Sequence, residues 1–301
     1  MNNQLSQKWQ NKINDFIKQS AVADQLYADF ASANDSSVKH TTRTAHAVVN
    51  ISSAHIMNFC DRSRMNQYPA YLNCYDLGKK RVRLGDDPPT ENWEVREIVD
   101  KALETLHHYE INKIYFMAAE LNGTGVRFYG DICLVLKDIS DETIILDRNS
   151  YELIREPLRS IIEKPELSDQ DKHEQRCKKA FELAGEWGNN LGEMASVKIL
   201  TTSGERDRRL TAGQISTRIL DDEDYIEVLK TDSFSTHDLE CVRLSALDVA
   251  LENYIFQCIG TVSPPEFVEY IWLRQRQKCR EALIMHQVPV TVVVTEGRTK
   301  S

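Results

Sequence analysis

The sequence predicts an α+β fold built on a mixed β-sheet. Three short apolar runs, 114–119, 132–136 and 143–146, follow one another along the chain and are bounded by turns, which favours strands over helices. Longer amphipathic patterns lie on both sides of these runs and predict helices. The chain has 301 residues, of which 41% are hydrophobic and 28% charged, so it can bury a sizeable core and is not expected to be disordered.

The first third of the chain combines helices with one strand. Residues 5–30 carry apolar side chains at helical spacing and predict an N-terminal helix. The first predicted strand spans 45–51, and Ser52 or Ser53 then caps a short helix. A second amphipathic helix is expected over 92–107, after a loop that contains two prolines.

The stretch 126–137, VRFYGDICLVLK, is the centre of the predicted sheet. It follows the glycine-flanked turn 122–125, and the apolar run in its second half predicts a strand that is buried on both faces. Polar residues gather where this strand and the next one begin or end, and sites are often built at strand ends. We therefore expect a cleft lined by residues of this region: Arg127, Tyr129, Asp131, Asp147, Asn149 and Ser150.

The second half of the chain is predicted to begin with a highly charged helical insert and to continue with strands and helices. Residues 225–230 alternate between apolar and polar side chains, as in a half-buried strand. The predicted elements are an insert over 152–195, strands over 225–230 and 238–244, a helix over 246–256, a helix from Pro264 to about His286, and an edge strand within 288–295.

Charge and cysteine usage exclude several classes of protein. The net charge of −9 argues against a protein that binds nucleic acid by bulk phosphate attraction. The seven cysteines are scattered without CxxC or His/Cys ligand spacing, so we expect neither a disulfide framework nor a metal site, and the thiols should be reduced. Residues 1–12 contain no apolar segment, and no run approaches the roughly 18 residues of a membrane span. A cytoplasmic location is the expectation.

Three pieces of the sequence carry a resemblance to a known family. In order they are a short Ile/Tyr strand followed by a glycine turn and RFYGDICLVLK, then TIILDRNS, then YIEVLKTDSFSTHDLECVRLS. Together they resemble a divergent bacterial family with an ADP-ribosyltransferase-like core, over roughly residues 43–245. The chain lacks the Ser-Thr-Ser and Glu-x-Glu or Gln-x-Glu patterns of better-known members, so the resemblance implies no preference for a target residue.

The resemblance implies a split mixed sheet and a three-part organisation. The parts are an N-terminal helical segment and linker over 1–42, an ADP-ribosyltransferase-like domain over 43–260 that includes the helical insert 152–195, and a C-terminal helix and strand extension over 261–301.

The resemblance also implies a catalytic residue and a substrate. Cleavage of the nicotinamide–ribose bond of NAD passes through an oxocarbenium-like state, which a single carboxylate can stabilise while it holds a ribose hydroxyl. Glu227 is the best candidate because it lies within a predicted strand rather than on a charged helix. NAD is expected as the substrate, with no metal. The candidate NAD-binding residues are Arg43, His46, Arg127, Tyr129, Gly130, Asn149 and Ser150.

The expected function is an intracellular toxin or defence effector that transfers ADP-ribose to RNA, DNA or protein. Such an enzyme would require an antitoxin or another inhibitory protein, and no membrane partner is expected. Two alternatives stay open: a catalytically inactive interaction module on the same fold, and a nucleic-acid-processing enzyme that uses a carboxylate cluster such as Asp221–Asp224. Binding of NAD separates the transferase from the inactive module.

Overall fold

The computed structural model describes two long parts of the chain and shorter segments between them. The described residues are 46–67, 69–73, 113–120, 123–137, 164–172, 225–294 and 297–298, several single positions between these ranges, and the backbone of 144–146 and 187–188. The N-terminal helix over 5–30 and most of the insert over 152–195 lie outside the described residues. Of the helix predicted over 92–107, residues 97, 98, 100, 101 and 104 are described, and they are helical. No described helix is long and apolar enough to cross a membrane.

The described strands form one eight-stranded sheet, and helices pack on it, so the predicted α+β fold with a mixed sheet is confirmed. The strands are β1 His46–Ile51, β2 Tyr115–Glu120, β3 Ile132–Leu136, β4 Ile144–Leu146, β5 Trp187–Gly188, β6 Glu227–Lys230, β7 Leu239–Ser245 and β8 Val290–Val293. The helices are α1 Ser53–Arg64, α2 Ala246–Cys258 and α3 Phe267–Met285, with 3-10 turns at Arg127–Tyr129 and Thr236–Asp238.

The sheet is continuous, unlike the split core that the resemblance implies. Its strand order is β5-β4-β6-β2-β1-β3-β7-β8, in which β7 and β8 are parallel and every other pair is antiparallel. Strand β1 pairs with β2 on one edge and with β3 on the other. Because both edges of β1 are used, the two halves of the sheet are joined and no split occurs among the described strands.

The prediction of a strand across the whole of 126–137 is wrong for its first part. Residues Arg127–Tyr129 form a 3-10 turn, closed by the bond from the Gly130 amide to the Arg127 carbonyl at 3.1 Å. Only Ile132–Leu136 form the strand. The turn brings Gly130 against the end of β1, where a Cβ on Gly130 would lie 2.2 Å from the Ile51 carbonyl carbon. This close approach of two backbones explains why a glycine is needed there.

One face of the sheet is apolar and is covered by α1 and α3. Ser52 caps α1 as predicted, because its hydroxyl accepts a hydrogen bond from the Ala54 amide. An aromatic cluster joins α1 to the sheet, with the rings of Tyr71 and Phe234 stacked at 4.6 Å between centroids. Phe59 of α1 and Tyr115 of β2 contact the same pair of rings. These contacts define the apolar face.

A buried arginine connects the helices to the sheet. Arg276 of α3 is almost fully buried and donates to Glu252 of α2 at 2.7 Å and to Asp131, just before β3, at 2.9 Å. Burial alone would lower the pKa of Arg276, but Glu252 and Asp131 outweigh it and raise the pKa, so the side chain stays charged. Asp131 also accepts from the Ser53 amide at 2.7 Å. The helices α1, α2 and α3 and the entrance to β3 therefore meet at the ion pair of Arg276 and Asp131.

We expect the replacement of Arg276 by leucine to lower the free energy of unfolding by about 3 kcal/mol, because it removes the buried cation that Glu252 and the partly exposed Asp131 share, while Arg280 still pairs with Glu252 at 2.8 Å. Arg274→Leu is the matched control, since Arg274 lies on the same helix but is exposed and, among the described residues, bonds to Gln277 alone. Its effect should stay within about 0.5 kcal/mol. Urea denaturation of both variants measures the difference, and equal effects would contradict a structural role for the ion pair.

Candidate functional site

The second face of the sheet carries polar side chains, and we call it the polar face. It is defined by His46, Asn50, Glu120, Cys133, Glu227 and Arg243. Residues paired directly across neighbouring strands point to the same face, as do alternate residues along a strand. The pairs His46↔Glu120, Asn50↔Cys133, Cys133↔Arg243 and Ala118↔Glu227 therefore place all six on one side.

Two buried carboxylates are the chemical centre of the polar face. Glu227, at the start of β6, is 2% exposed, and Glu120, at the end of β2, is 0% exposed. Ala118 lies opposite Glu227, and Glu120 is two residues further along, so the two glutamates are diagonal neighbours with Cα atoms roughly 7–8 Å apart. Glutamate is almost never buried to this degree unless it is paired, and both residues have interaction partners in the structure. Buried acids on strands are candidates for a functional site.

His46 lies beside this pair and contacts a third glutamate. It is paired with Glu120 in the sheet, and its Nδ1 atom lies 3.2 Å from Oε2 of Glu240. Burial lowers the pKa of His46 below its ordinary value of 6.5, although Glu240 opposes this shift, and Arg243 adds to it. Burial therefore favours the neutral imidazole, and its contact with Glu240 is a close approach of Nδ1 and Oε2 that becomes an ion pair only when the ring is protonated. Glu240 lies in the irregular part of β7, where the register to β3 shifts.

A loop covers the part of the polar face near β3 and β7. The Asn50 amide donates to the carbonyl of Thr124 at 2.8 Å and to that of Gly130 at 3.0 Å. Arg243 donates to the Gly123 carbonyl at 3.2 Å. Gly125 has a φ of +68°, and a Cβ there would lie 2.3 Å from Oδ1 of Asn50, so only glycine fits. Asn50 and Arg243 thus hold the loop against the sheet.

The buried cysteines Cys60, Cys133 and Cys279 do not provide a nucleophile. Burial raises the pKa of Cys60 and of Cys279 to about 12, and it also raises the pKa of Cys133 on the polar face. These thiols stay protonated at neutral pH, where the reactive form would be the thiolate. All the described cysteines are free, as the sequence predicts for reduced thiols. Within the described part of the chain, no cluster of His, Cys, Asp or Glu could hold a metal ion.

The predicted site residues fall in different places. Glu227 and His46 both lie on the polar face. Arg127 contacts Asp248 of α2 with its Nη2 atom 2.7 Å from Oδ1, which ties the 3-10 turn to that helix. Tyr129 is 61% exposed and lies against Phe128, with 4.2 Å between ring centroids. Gly130 packs on the backbone at the end of β1. Three further predicted residues lie outside the described residues: Arg43, Asn149 and Ser150.

The sheet order separates Glu227 from the residues around β3. Strands β2 and β1 lie between β6 and β3, which corresponds to three strand spacings, or roughly 14 Å. The side chains of β6 alternate between the two faces as predicted, since Leu229 shares the face of Glu227 and Val228 faces the other way. The prediction of a half-buried strand is wrong, because Glu227, Val228 and Leu229 are all buried. Glu227 is therefore grouped with Glu120 and, one strand further, with His46. The structure does not bring it next to Arg127 and Tyr129.

Sequence reasoning missed three residues of the polar face: Asn50, Glu120 and Arg243. Glu120 had a signal, because it directly follows a predicted strand and precedes the turn at 121–125, which is where other polar candidates were sought. Asn50 lies within an otherwise apolar strand and also stood out as a polar residue in a buried position. Arg243 gave no such signal, since its position in β7 resembles an ordinary exposed strand residue.

Comparison of the chain with protein-family models, with curated proteins and with solved structures found no match.

We expect NMR titration to give His46 a pKa below 6.5, because burial disfavours its charged form. Glu240→Gln should lower this pKa further, since the Glu240 carboxylate favours the imidazolium. Glu110→Gln is the control, as Glu110 is exposed and pairs with Lys113. The unfolded chain takes up this proton more readily than the folded chain, so the free energy of unfolding should fall as the pH drops below about 6.5. A rise of the His46 pKa in Glu240→Gln would contradict this arrangement.

Proposed function

We propose that this chain is an NAD-dependent ADP-ribosyltransferase in which Glu227 is the catalytic carboxylate. The observation that carries the proposal is the position of Glu227, buried within a sheet strand and on the same face as Glu120 and His46. The resemblance of the three sequence pieces to transferase-like proteins supports the same residue independently of the geometry. On this proposal the continuous sheet is a divergent form of the transferase core.

The chemistry requires a fixed negative charge more than a nucleophile. When the bond between nicotinamide and ribose breaks, positive charge develops on the sugar, and a nearby carboxylate stabilises it while it accepts a hydrogen bond from a ribose hydroxyl. A strand inside a sheet holds such a carboxylate rigidly. Surroundings of low dielectric strengthen its interaction with the developing charge.

Glu120 and His46 take supporting roles in this proposal. Glu120 is the second carboxylate on the polar face, and it is close enough to Glu227 to act on the same substrate. A neutral imidazole has one ring nitrogen that accepts a hydrogen bond, and on this proposal that nitrogen of His46 accepts one from a ribose hydroxyl or from the carboxamide of NAD.

The biological role follows from the activity. An enzyme that transfers ADP-ribose to a macromolecule inside its own cell is toxic, so we propose a toxin or defence effector. The acceptor would be RNA, DNA or protein, and an antitoxin or another inhibitory protein would keep it in check. The predicted amphipathic face of residues 5–30 is one surface such a partner could bind.

Glu227→Gln should abolish hydrolysis and transfer from NAD, with a loss of at least about 10²–10³ in rate and little loss of NAD affinity, because the charge acts mainly in the transition state. Hydrolysis of labelled NAD gives the rate, and calorimetry gives the affinity. Expression in cells tests whether toxicity disappears with activity.

Two control variants make this result specific. Glu110→Gln alters an exposed carboxylate and should leave the rate unchanged. The sequence suggests Glu240 as a mild control, but Glu240 contacts His46 and is unsuitable for that purpose. Glu120→Gln separates the two buried carboxylates and should reduce the rate less than Glu227→Gln does. Full activity in Glu227→Gln would exclude this residue, and a wild-type chain that does not bind NAD would favour an inactive interaction module.

Tyr129→Ala tests the predicted NAD contacts around the 3-10 turn. Its side chain is exposed, so its removal should leave the fold intact while weakening NAD binding if Tyr129 touches the ligand. Arg127→Ala is a poorer probe, because it also breaks the contact with Asp248. Calorimetry on Tyr129→Ala measures the affinity for NAD. An unchanged affinity would remove this side chain from the NAD site.

A further inference from the structure

Residues 297–298, which we call the strap, lie along the loop 123–126 like an added strand. Arg298 forms a parallel β-bridge with this loop. Its amide donates to the Gly125 carbonyl at 2.8 Å, and its own carbonyl accepts from the Arg127 amide at 2.7 Å. Backbone hydrogen bonds on both sides of Arg298 therefore fix the strap to the loop.

The other residue of the strap, Gly297, packs so closely that a side chain has no room. A Cβ on Gly297 would overlap the carbonyl oxygen of Gly125. The Gly297 amide donates to the Thr124 hydroxyl at 2.6 Å, while the Thr124 carbonyl accepts from the Asn50 side chain of β1 at 2.8 Å. Thr124 is therefore held from two directions, by the strap through its hydroxyl and by the sheet through its carbonyl.

The loop 123–126 closes over side chains of β1 and β3 on the polar face. A Cβ on Gly125 would lie 3.2 Å from Cγ2 of Val48 and 3.3 Å from Sγ of Cys133, so the loop backbone packs directly on both side chains. Cys133 is 0% exposed. The loop thus covers this part of the polar face, and the thiol of Cys133 lies beneath it.

This cover is fastened mainly by polar contacts, and its closed position has a cost. Two of its four residues are glycines, and Val126 is its one large apolar side chain. Asn50 and Arg243 hold it through hydrogen bonds to its carbonyls. The Oδ1 atom of Asn50 is buried and has no hydrogen-bond partner among the described residues, which disfavours the closed position. Segments with few buried apolar side chains open locally at a lower cost than the whole fold.

We propose that the strap is a latch, which keeps the loop 123–126 closed and whose release opens this part of the polar face. The loop begins three residues after Glu120, so the opening takes place beside the candidate site. A partner that binds residues 297–298 would compete with the loop for the same backbone groups and would open it. The latch controls access whatever the polar face binds, so it does not depend on the transferase proposal.

Alkylation of the thiols in the full-length protein, mapped by mass spectrometry, tests the latch. Burial raises the pKa of Cys133, so this thiol should react only while the loop is open. Gly297→Val prevents the strap from docking and should speed the alkylation of Cys133 on the order of 10–100-fold. Deletion of residues 297–301 removes the strap outright and should give the same rise. Val294→Ala is the matched control, because Val294 precedes the strap and is 86% exposed, and it should leave the rate unchanged.

Cys60 of α1 and Cys279 of α3 serve as internal references, since both are buried in the helical layer on the other face of the sheet. Their alkylation rates should not change in any variant, and circular dichroism establishes that each variant is folded. A Cys133 rate that is unchanged in both Gly297→Val and the deletion would overturn the proposal, because the loop would then stay closed without the strap. An equal rise at all three cysteines would also overturn it, because the strap would then stabilise the whole fold rather than the loop.

Discussion

The ion pair between Arg276 and Asp131 is the interaction on which the rest of the structure depends. Arg276 comes from the C-terminal helix, and Asp131 lies 145 positions earlier, at the entrance to β3. The same aspartate accepts from the first amide of α1, and the same arginine holds Glu252 of α2. The side chain also lies against the ring of Trp272, at 5.5 Å from its centroid. One buried charge thus sets the positions of three helices relative to the sheet.

This arrangement also determines how the polar face is built. Because Asp131 anchors the start of β3, the 3-10 turn before it is held against the end of β1, and Arg127 completes the anchor by binding Asp248. The Asn50 side-chain amide can then donate to the carbonyl of Thr124 in the loop 123–126 and to the carbonyl of Gly130 after the 3-10 turn. The helices on the apolar face therefore support the geometry of the opposite, polar face.

The sequence predicted local elements well because their signals are local. Ser52 as a helix cap, the helix and edge strand after 260, and the alternation around Glu227 all follow from residue types at short spacing. The turn at Arg127–Tyr129 was missed because Val126, Phe128 and Tyr129 have the composition of a strand. What decided against a strand is the contact of Gly130 with Ile51, some 80 positions away, and no local pattern reports such a contact.

Sequence patterns could not predict the order of the strands, because that order also depends on contacts between residues far apart in the chain. Periodicity shows which residues share a face, but not that β1 lies between β2 and β3 or that two strands separate β6 from β3. The predicted grouping of Glu227 with Arg127 and Tyr129 assumed neighbouring strands. The strand pairing instead groups Glu227 with Glu120, which the sequence patterns did not single out. The contact between Arg127 and Asp248, which are 121 positions apart, likewise forms only because of the order in which the strands and helices pack.

The most direct test of the central claim is a crystal structure of the Glu227→Gln protein with NAD bound. The account predicts that the side chain of residue 227 lies within hydrogen-bond distance, roughly 2.6–3.2 Å, of a hydroxyl of the nicotinamide ribose. NAD bound more than about 10 Å from residue 227, or a complex in which that side chain contacts only protein atoms, would contradict the assignment of Glu227 as the catalytic carboxylate.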